Sequence, residues 1–395
     1  MEPLINPFSP GAGNPPPELA GRNALLERSR IVLGRVQNGK SEKSLLFVGL
    51  RGVGKTVLLN EIKKQAENFG CKTIFFEAHN KKSLPELMVP HLRQILYQLD
   101  RSRKVVRALR VFTGFLKTLR LDIKFNPSES EMSLGFDPEL GSADSGDLES
   151  DLPILFEAVA EAAKDRGTSI AIFIDELQYL SEKELSSLIM AVHRTCQRQL
   201  PLILIGAGLP QLVALAGDSK SYSERLFDFP TIGALEKKDS FDALQNPVRK
   251  EKVRFSQEAL DEIFRKTCGY PYFIQEWGYQ VWNQAQKSPI GLEVVIHAEK
   301  SVIQKLDDNF FRVRCDRLTP SERRYVQALA ELGSGSQRSG DIAEKLKVKP
   351  QSVSPVRSKL IAKGMIYAPT HGDTEFTVPL FDEFVKRTML KGKLK

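Results

Sequence analysis

Four residues at fixed spacing, Gly49, Gly54, Lys55 and Thr56, are the strongest chemical signal in the chain. Gly49-Leu50-Arg51-Gly52-Val53-Gly54-Lys55-Thr56 fits the pattern G-x-x-x-x-G-K-[ST] at every fixed position. Glycine allows positive φ, so such a loop can turn its N–H groups inward around an anion. A helix starting near Val57 would add its partial positive charge. Lys55 should reach the β- and γ-phosphates of a nucleotide, and the Thr56 hydroxyl should bind Mg²⁺. The contacting set would be Gly49, Arg51, Gly52, Val53, Gly54, Lys55, Thr56 and Val57.

A second signal is the apolar run Ser169 to Ile174, which stops at Asp175-Glu176. A parallel strand beside the phosphate-loop strand delivers an acid at its carboxyl end, near the metal. Asp175 should hold Mg²⁺, mainly through water or Thr56, and Glu176 should orient and polarise the attacking water. Arg225, in Ser221 to Phe227, could reach a neighbouring subunit's γ-phosphate as a finger, or be a surface arginine in a salt bridge.

A third signal lies in Thr319 to Arg387, which resembles a winged helix-turn-helix. Ser321 to Leu332 makes its first helix, Asp341 to Leu346 its second, and Pro350 to Lys363 a recognition helix ended by Gly364. The recognition helix would bury Val353, Val356, Leu360 and Ile361. It would offer Gln351, Ser352, Ser354, Arg357, Ser358, Lys359 and Lys363 to double-stranded DNA, as small polar and cationic groups suited to base edges and phosphates. Ile366-Tyr367 and Phe376 to Val378 would flank a wing with His371-Gly372-Asp373 at its tip. A module of this shape can equally contact protein, and that alternative stays open.

The elements that must position these groups follow from periodicity. Ser44 to Val48, Thr73 to Glu77, Ser169 to Ile174, Leu202 to Ile205 and Thr231 to Gly233 read as strands, alternating with helical segments. This predicts an α/β fold with a doubly wound parallel sheet. The predicted organisation is a Pro-rich leader over 1–20, a P-loop core over 21–235 and a helical lid over 236–316. A winged helix over 317–395 completes it. The alternation in Leu121 to Phe125 and Met132 to Phe136 suggests a hairpin inserted into the core near 121–136. The leader should lie over a neighbouring surface or stay disordered.

With 395 residues, 41% hydrophobic and 27% charged, the chain suits two or three soluble globular domains. It has no run of eighteen apolar residues and no signal-peptide order at its start, so a cytoplasmic location is expected. Its four cysteines lie far apart, which argues against a disulfide framework or a zinc site. Net charge is +8 and uneven. Arg101 to Arg120 holds seven basic residues and no acid, and Phe125 to Ala163 holds ten acids and no base. Thr319 to Lys395 has fourteen basic and eight acidic residues. Basic patches favour a polyanionic partner, unless the two central stretches face each other or solvent.

Gly21-Arg22, the phosphate loop, Asp175-Glu176, Ser223-Glu224-Arg225 and Gly269-Tyr270-Pro271 together resemble AAA+ ATPases, nearest the archaeal-type, STAND-like and origin-recognition-initiator branches. The resemblance implies ATP and Mg²⁺ as cofactors. It places Gly21 and Arg22 near the adenine, Pro271 against the base or ribose, and Arg225 in trans within an ATP-bound oligomer. It implies a nucleotide-controlled switch on double-stranded DNA or, alternatively, a STAND-like signalling or defence ATPase whose winged helix contacts protein. Two departures point to slow hydrolysis. Leu202 to Ile205 ends in Gly206-Ala207-Gly208, without the polar sensor residue, and no clear sensor arginine stands beside Gly269. The N-K-x-D signature of GTPases is absent.

Overall fold

Unbroken apolar runs become the central strands of a parallel sheet in the computed structural model, which describes residues 1–11, 13–118, 137–370 and 372–390. The hairpin expected near 121–136 and His371, expected at a wing tip, fall outside the described residues. The chain divides into two units. One comprises Ala24–Val48 and Leu58–Thr231; the other comprises Met1–Asn23, Gly49–Val57 and Ile232–Lys395.

The first unit is the sheet and its helices. Its strands are β1 (Ser44–Val48), β2 (Lys72–Glu77), β3 (Ile170–Asp175), β4 (Leu202–Gly208) and β5 (Phe227–Asp228). They lie in the order β2-β3-β4-β1-β5, all parallel, so every crossover needs a helix. These are α1 (Asn23–Gln37), α2 (Lys55–Asn68), α3 (Leu84–Gln98), α4 (Arg103–Thr118), α5 (Leu148–Asp165), α6 (Glu182–Gln197), α7 (Leu212–Ser219) and α8 (Ser223–Leu226). Leu46, Ile172, Ile174 and Leu204 share one core with α3 to α6. Their neighbours Leu45, Phe47, Phe173 and Ile205 point to the opposite face and are equally buried, so both faces are covered.

One sequence expectation changes here. The fifth strand is Phe227–Asp228 rather than Thr231 to Gly233; Thr231 makes only an isolated bridge to Val48. Pro230, lying between, has no N–H to donate, so the edge ladder is split. The basic stretch forms its own helix, α4, separate from α3, which ends at Gln98. There Lys104 pairs with Glu161 at 2.8 Å, and Arg107 pairs with Glu139 at 3.2 Å and Glu161 at 3.3 Å. The basic and acidic stretches do face each other at these residues.

The second unit carries a helical part, α9 (Lys237–Lys250), α10 (Gln257–Thr267), α11 (Pro271–Gln284) and α12 (Leu292–Leu306), continued by a π-helical stretch over Asp307–Arg312 and a short helical turn over Val313–Cys315. The leader is pinned to α11. Phe8 is 2% exposed and lies against Gly278, where a Cβ would come within 2.7 Å of its ring. Asn6 donates to the Tyr279 carbonyl at 3.0 Å and to Asn283 at 2.8 Å, and Trp282 donates to the Glu2 carbonyl at 2.9 Å.

The C-terminal module packs α13 (Pro320–Leu332), α14 (Ser339–Leu346), α15 (Pro350–Ala362) and α16 (Phe381–Val385) with an antiparallel sheet. The sheet strands are β6 (Gln337–Arg338), β7 (Ile366–Tyr367) and β8 (Asp373–Phe376), in the order β6-β8-β7. Thr319 and Glu322 form a reciprocal capping box at the start of α13. A chain of aromatic rings joins this module to the helical part. Tyr272 stacks on Phe310 at 4.4 Å, Phe310 meets Phe311 at 5.3 Å, and Phe311 stacks on Phe384 at 5.2 Å.

Candidate nucleotide site

Local sequence dictates the loop. β1 is apolar and buried throughout, and α2 begins at Lys55, so Gly49 to Gly54 must turn the chain from strand to helix. Gly52 and Gly54 take φ of +84° and +94°, the region that favours glycine. Gly49 is needed for a different reason: a Cβ there would lie 2.2 Å from the Ile232 carbonyl oxygen. Lys55 is 6% exposed, and its Nζ donates to the carbonyls of Gly49 at 3.0 Å and Leu50 at 2.9 Å. Val53 is buried, whereas Thr56 and Val57 are half-buried at the start of α2.

Arg22 braces this loop. It is 8% exposed, and its Nη2 donates to the Val53 carbonyl at 3.2 Å and to the Gly233 carbonyl at 2.7 Å. Burial pushes its pKa down, and the neighbouring Asp239 opposes that shift. Gly21 precedes it at φ +68° with Asp239 close behind, 2.7 Å from a built Cβ. The resemblance put Gly21 and Arg22 beside the adenine; the guanidinium contacts observed here are with the loop backbone.

The segment 269–271 forms the facing wall. Gly269 has φ +72°, its carbonyl accepts from the Leu235 N–H at 2.8 Å, and a Cβ would sit 2.1 Å from the Leu235 oxygen. Pro271 occupies the first turn of α11, where its missing N–H costs least. Tyr270 between them is 2% exposed, and its ring lies against Gly52, 3.0 Å from where a Cβ would stand. The Tyr270 hydroxyl is buried with no hydrogen-bond partner among the described residues, and burial pushes its pKa well up. Arg314 lies close by, its guanidinium 4.0 Å above the Phe310 ring. Its pKa is pushed down to about 10, first by burial and then by the nearby charge of Arg51. A glycine cradle, an orphaned hydroxyl and two neighbouring arginines suit an incoming polyphosphate. Sequence reasoning missed Tyr270 and Arg314 as site residues. Tyr270 was signalled only as the central member of Gly269-Tyr270-Pro271, and Arg314 carried no signal.

Arg51 turns toward the C-terminal module within the same unit. Its N–H donates to the Thr377 carbonyl at 3.3 Å, and its Nη2 lies 2.4 Å from where a Cβ on Gly364 would stand. Gly364 has φ +64° at the end of α15, so glycine is required there both for the turn and for the guanidinium.

In the other unit, β3 ends on Asp175, which is 3% exposed and whose Oδ1 accepts from the Glu176 N–H at 2.8 Å. Glu176 adopts φ 53° and ψ 39°, a left-handed conformation uncommon for a residue with a Cβ. Its carboxylate accepts from Gln178 Nε2. Asp175 and Glu176 thus stand at the carboxyl edge of the sheet, two strands from β1. Arg225 is exposed on α8.

On α15, Gln351, Ser352, Ser354, Ser358 and Lys359 are exposed, whereas Val353 and Leu360 are buried. Val356 and Ile361, expected in the core, are only half-buried. Two cations expected on the open face are engaged within the module. Arg357 donates to Thr374 Oγ1 at 2.9 Å and the Asp373 carbonyl at 2.6 Å, while Lys363 pairs with buried Glu322 at 2.6 Å. Their long side chains reach acceptors that lie far away in sequence, which helix periodicity does not report.

Residues 18–205 match the AAA ATPase domain family, and residues 308–385 match a domain family of unknown function, DUF8462. A search of curated proteins gave no match. Among solved structures, the Walker-type ATPase of Pyrococcus abyssi is 16% identical with a TM-score of 0.55, covering 93% of this chain and 96% of that one. Orc1 of Aeropyrum pernix, solved in complex with DNA, is 15% identical with a TM-score of 0.48, covering 100% and 98%. No helix among the described residues is long and apolar enough to cross a membrane. The domain match, the Pyrococcus fold and the glycine cradle support an AAA+ P-loop ATPase.

Proposed function

We propose that the protein is an ATP-dependent switch that binds double-stranded DNA through its C-terminal module, read as a winged helix-turn-helix. The observation that carries the switch is the contact of Arg51 with Gly364 and Thr377. A residue inside the phosphate loop touches the end of the recognition helix and the chain leaving the wing. Any rearrangement of the loop on filling therefore acts on the module without an intermediary.

In this reading Gly49, Gly52, Val53, Gly54 and Lys55 hold the phosphates, with Arg22 keeping the loop in shape. Thr56 and Asp175 would each offer magnesium a hard oxygen donor of the kind that ion requires. When bound, ATP and its magnesium supply the phosphoanhydride bond and the charge that compensates its cleavage. Glu176 orients and polarises a water, and Pro271 and Tyr270 close over the loop. Arg225, exposed on α8, is the trans-acting finger if the chain assembles. Gln351, Ser352, Ser354 and Lys359 face the duplex, while Arg357 and Lys363 hold the module that presents them.

The test is a duplex titration with ATP, with ADP and without nucleotide, at two salt concentrations. ATP-dependent affinity that weakens in Lys359→Ala, with a reduced salt slope, supports the reading. Retention unaffected by nucleotide refutes the switch. A second reading, protein contact in a STAND-like signalling ATPase, draws on Val348, which is 45% exposed in the turn before α15. ATP-driven assembly without duplex retention favours it.

A further inference from the structure

The turn after β3 contains a residue with two defined partners that the phosphate-site motifs do not include. We infer that Gln178 is a positioning residue, which fixes the direction of the Glu176 carboxylate from the end of β4. This rests on the ATPase reading above, and it concerns residues of one unit only.

Gln178 Oε1 accepts from the Leu209 N–H at 3.0 Å. A backbone N–H can only donate, so this bond settles which way the amide faces. The amide nitrogen is left to donate, and it donates to the Glu176 carboxylate. Glu176 is therefore held at both ends. Its N–H is bound to Asp175 Oδ1 at 2.8 Å, and its carboxylate is tied through Gln178 to the chain leaving β4. Left-handed backbone at Glu176 makes such a tether necessary, because φ 53° aims the side chain away from the direction an extended strand end would give.

The same geometry explains a feature of the sequence that looked like a defect. β4 ends in Gly206-Ala207-Gly208, with no polar side chain. A Cβ on Gly206 would stand 2.2 Å from Leu177 Cδ1, and one on Gly208 would stand 2.7 Å from Gln178 Oε1. The glycines let the turn of residues 177–178 lie directly on β4. The polar group at this strand end is supplied by Gln178 from the neighbouring turn.

The experiment joins a nucleotide-free readout to kinetics. In the nucleotide-free chain, amide exchange at Leu209 should accelerate at least about tenfold in Gln178→Ala and remain slow in Gln178→Glu, which keeps the acceptor oxygen. With ATP and magnesium, both variants should bind nucleotide within about threefold of wild type but slow single-turnover hydrolysis by about 10–100-fold. In a Glu176→Gln background, Gln178→Ala should cause no further slowing, because the group it orients is already disabled. Wild-type turnover in either single variant, or losses that multiply in the double variant, would overturn the role of Gln178. A wild-type chain that takes up no ATP overturns the ATPase reading, and this role with it. Wild-type nucleotide uptake therefore tells the two failures apart.

Discussion

Replacing Arg22 by methionine tests whether the phosphate loop is held in shape from behind. The guanidinium makes two bonds, to the carbonyls of Val53 in the loop and Gly233, at 3.2 Å and 2.7 Å. A hydrogen bond involving a charged group contributes about 1.5–3 kcal/mol, so the pair is worth about 4 kcal/mol before costs. The wild-type residue bears a desolvation cost that methionine does not, visible in its lowered pKa. Taking that cost as about half leaves a net loss of about 2 kcal/mol. At 1.4 kcal/mol per decade, the ATP dissociation constant should rise about 30-fold. Arg22→Lys should lose about tenfold, since one ammonium cannot reproduce the planar fork that spans both carbonyls. The assay is equilibrium binding of a fluorescent ATP analogue in magnesium buffer, with thermal unfolding of the free chain as control. Binding of Arg22→Met within twofold of wild type, with normal unfolding, would refute the bracing role. If ATP binding weakened but tripolyphosphate binding did not, Arg22 would be reading the base rather than holding the loop.

Three further outcomes follow from the same reasoning. Gly269→Ala combines φ +72° with a Cβ 2.1 Å from the Leu235 oxygen, so denaturant unfolding should show a loss of about 2–4 kcal/mol. Phe8→Ala empties a site 2% exposed on α11 and should cost about 3–5 kcal/mol in the same assay; an unchanged midpoint would mean the leader is dispensable. Burial alone would raise the pKa of Glu322, but its bonds from Lys363 and Thr319 outweigh that and hold it below the ordinary 4.5. A depressed carboxylate stabilises above its unfolded value and loses that contribution as pH falls through its folded value. The C-terminal module should therefore weaken below about pH 4.5, and Glu322→Gln should flatten the acid limb while lowering stability at pH 7. A wild-type acid limb retained in the variant would show that other carboxylates control it.

What the sequence determined by itself was the local vocabulary. Glycine at 49, 52 and 54 directly after an apolar run marked a turn from strand to helix, and Gly52 and Gly54 do take the positive φ that favours glycine. Apolar runs demanded buried parallel strands. These signals act over a few residues, so they survive without knowledge of the rest of the chain. Tertiary structure decided the partners. Arg22 meets Val53 and Gly233 across 31 and 211 residues, and Gln178 meets Leu209 across 31. Arg357 and Lys363 turn inward, Tyr270 comes to lie on Gly52, and Pro230 divides the edge strand. A long polar side chain takes whichever acceptor packing brings within about 3 Å. That choice is made by the whole fold, not by residue type or period.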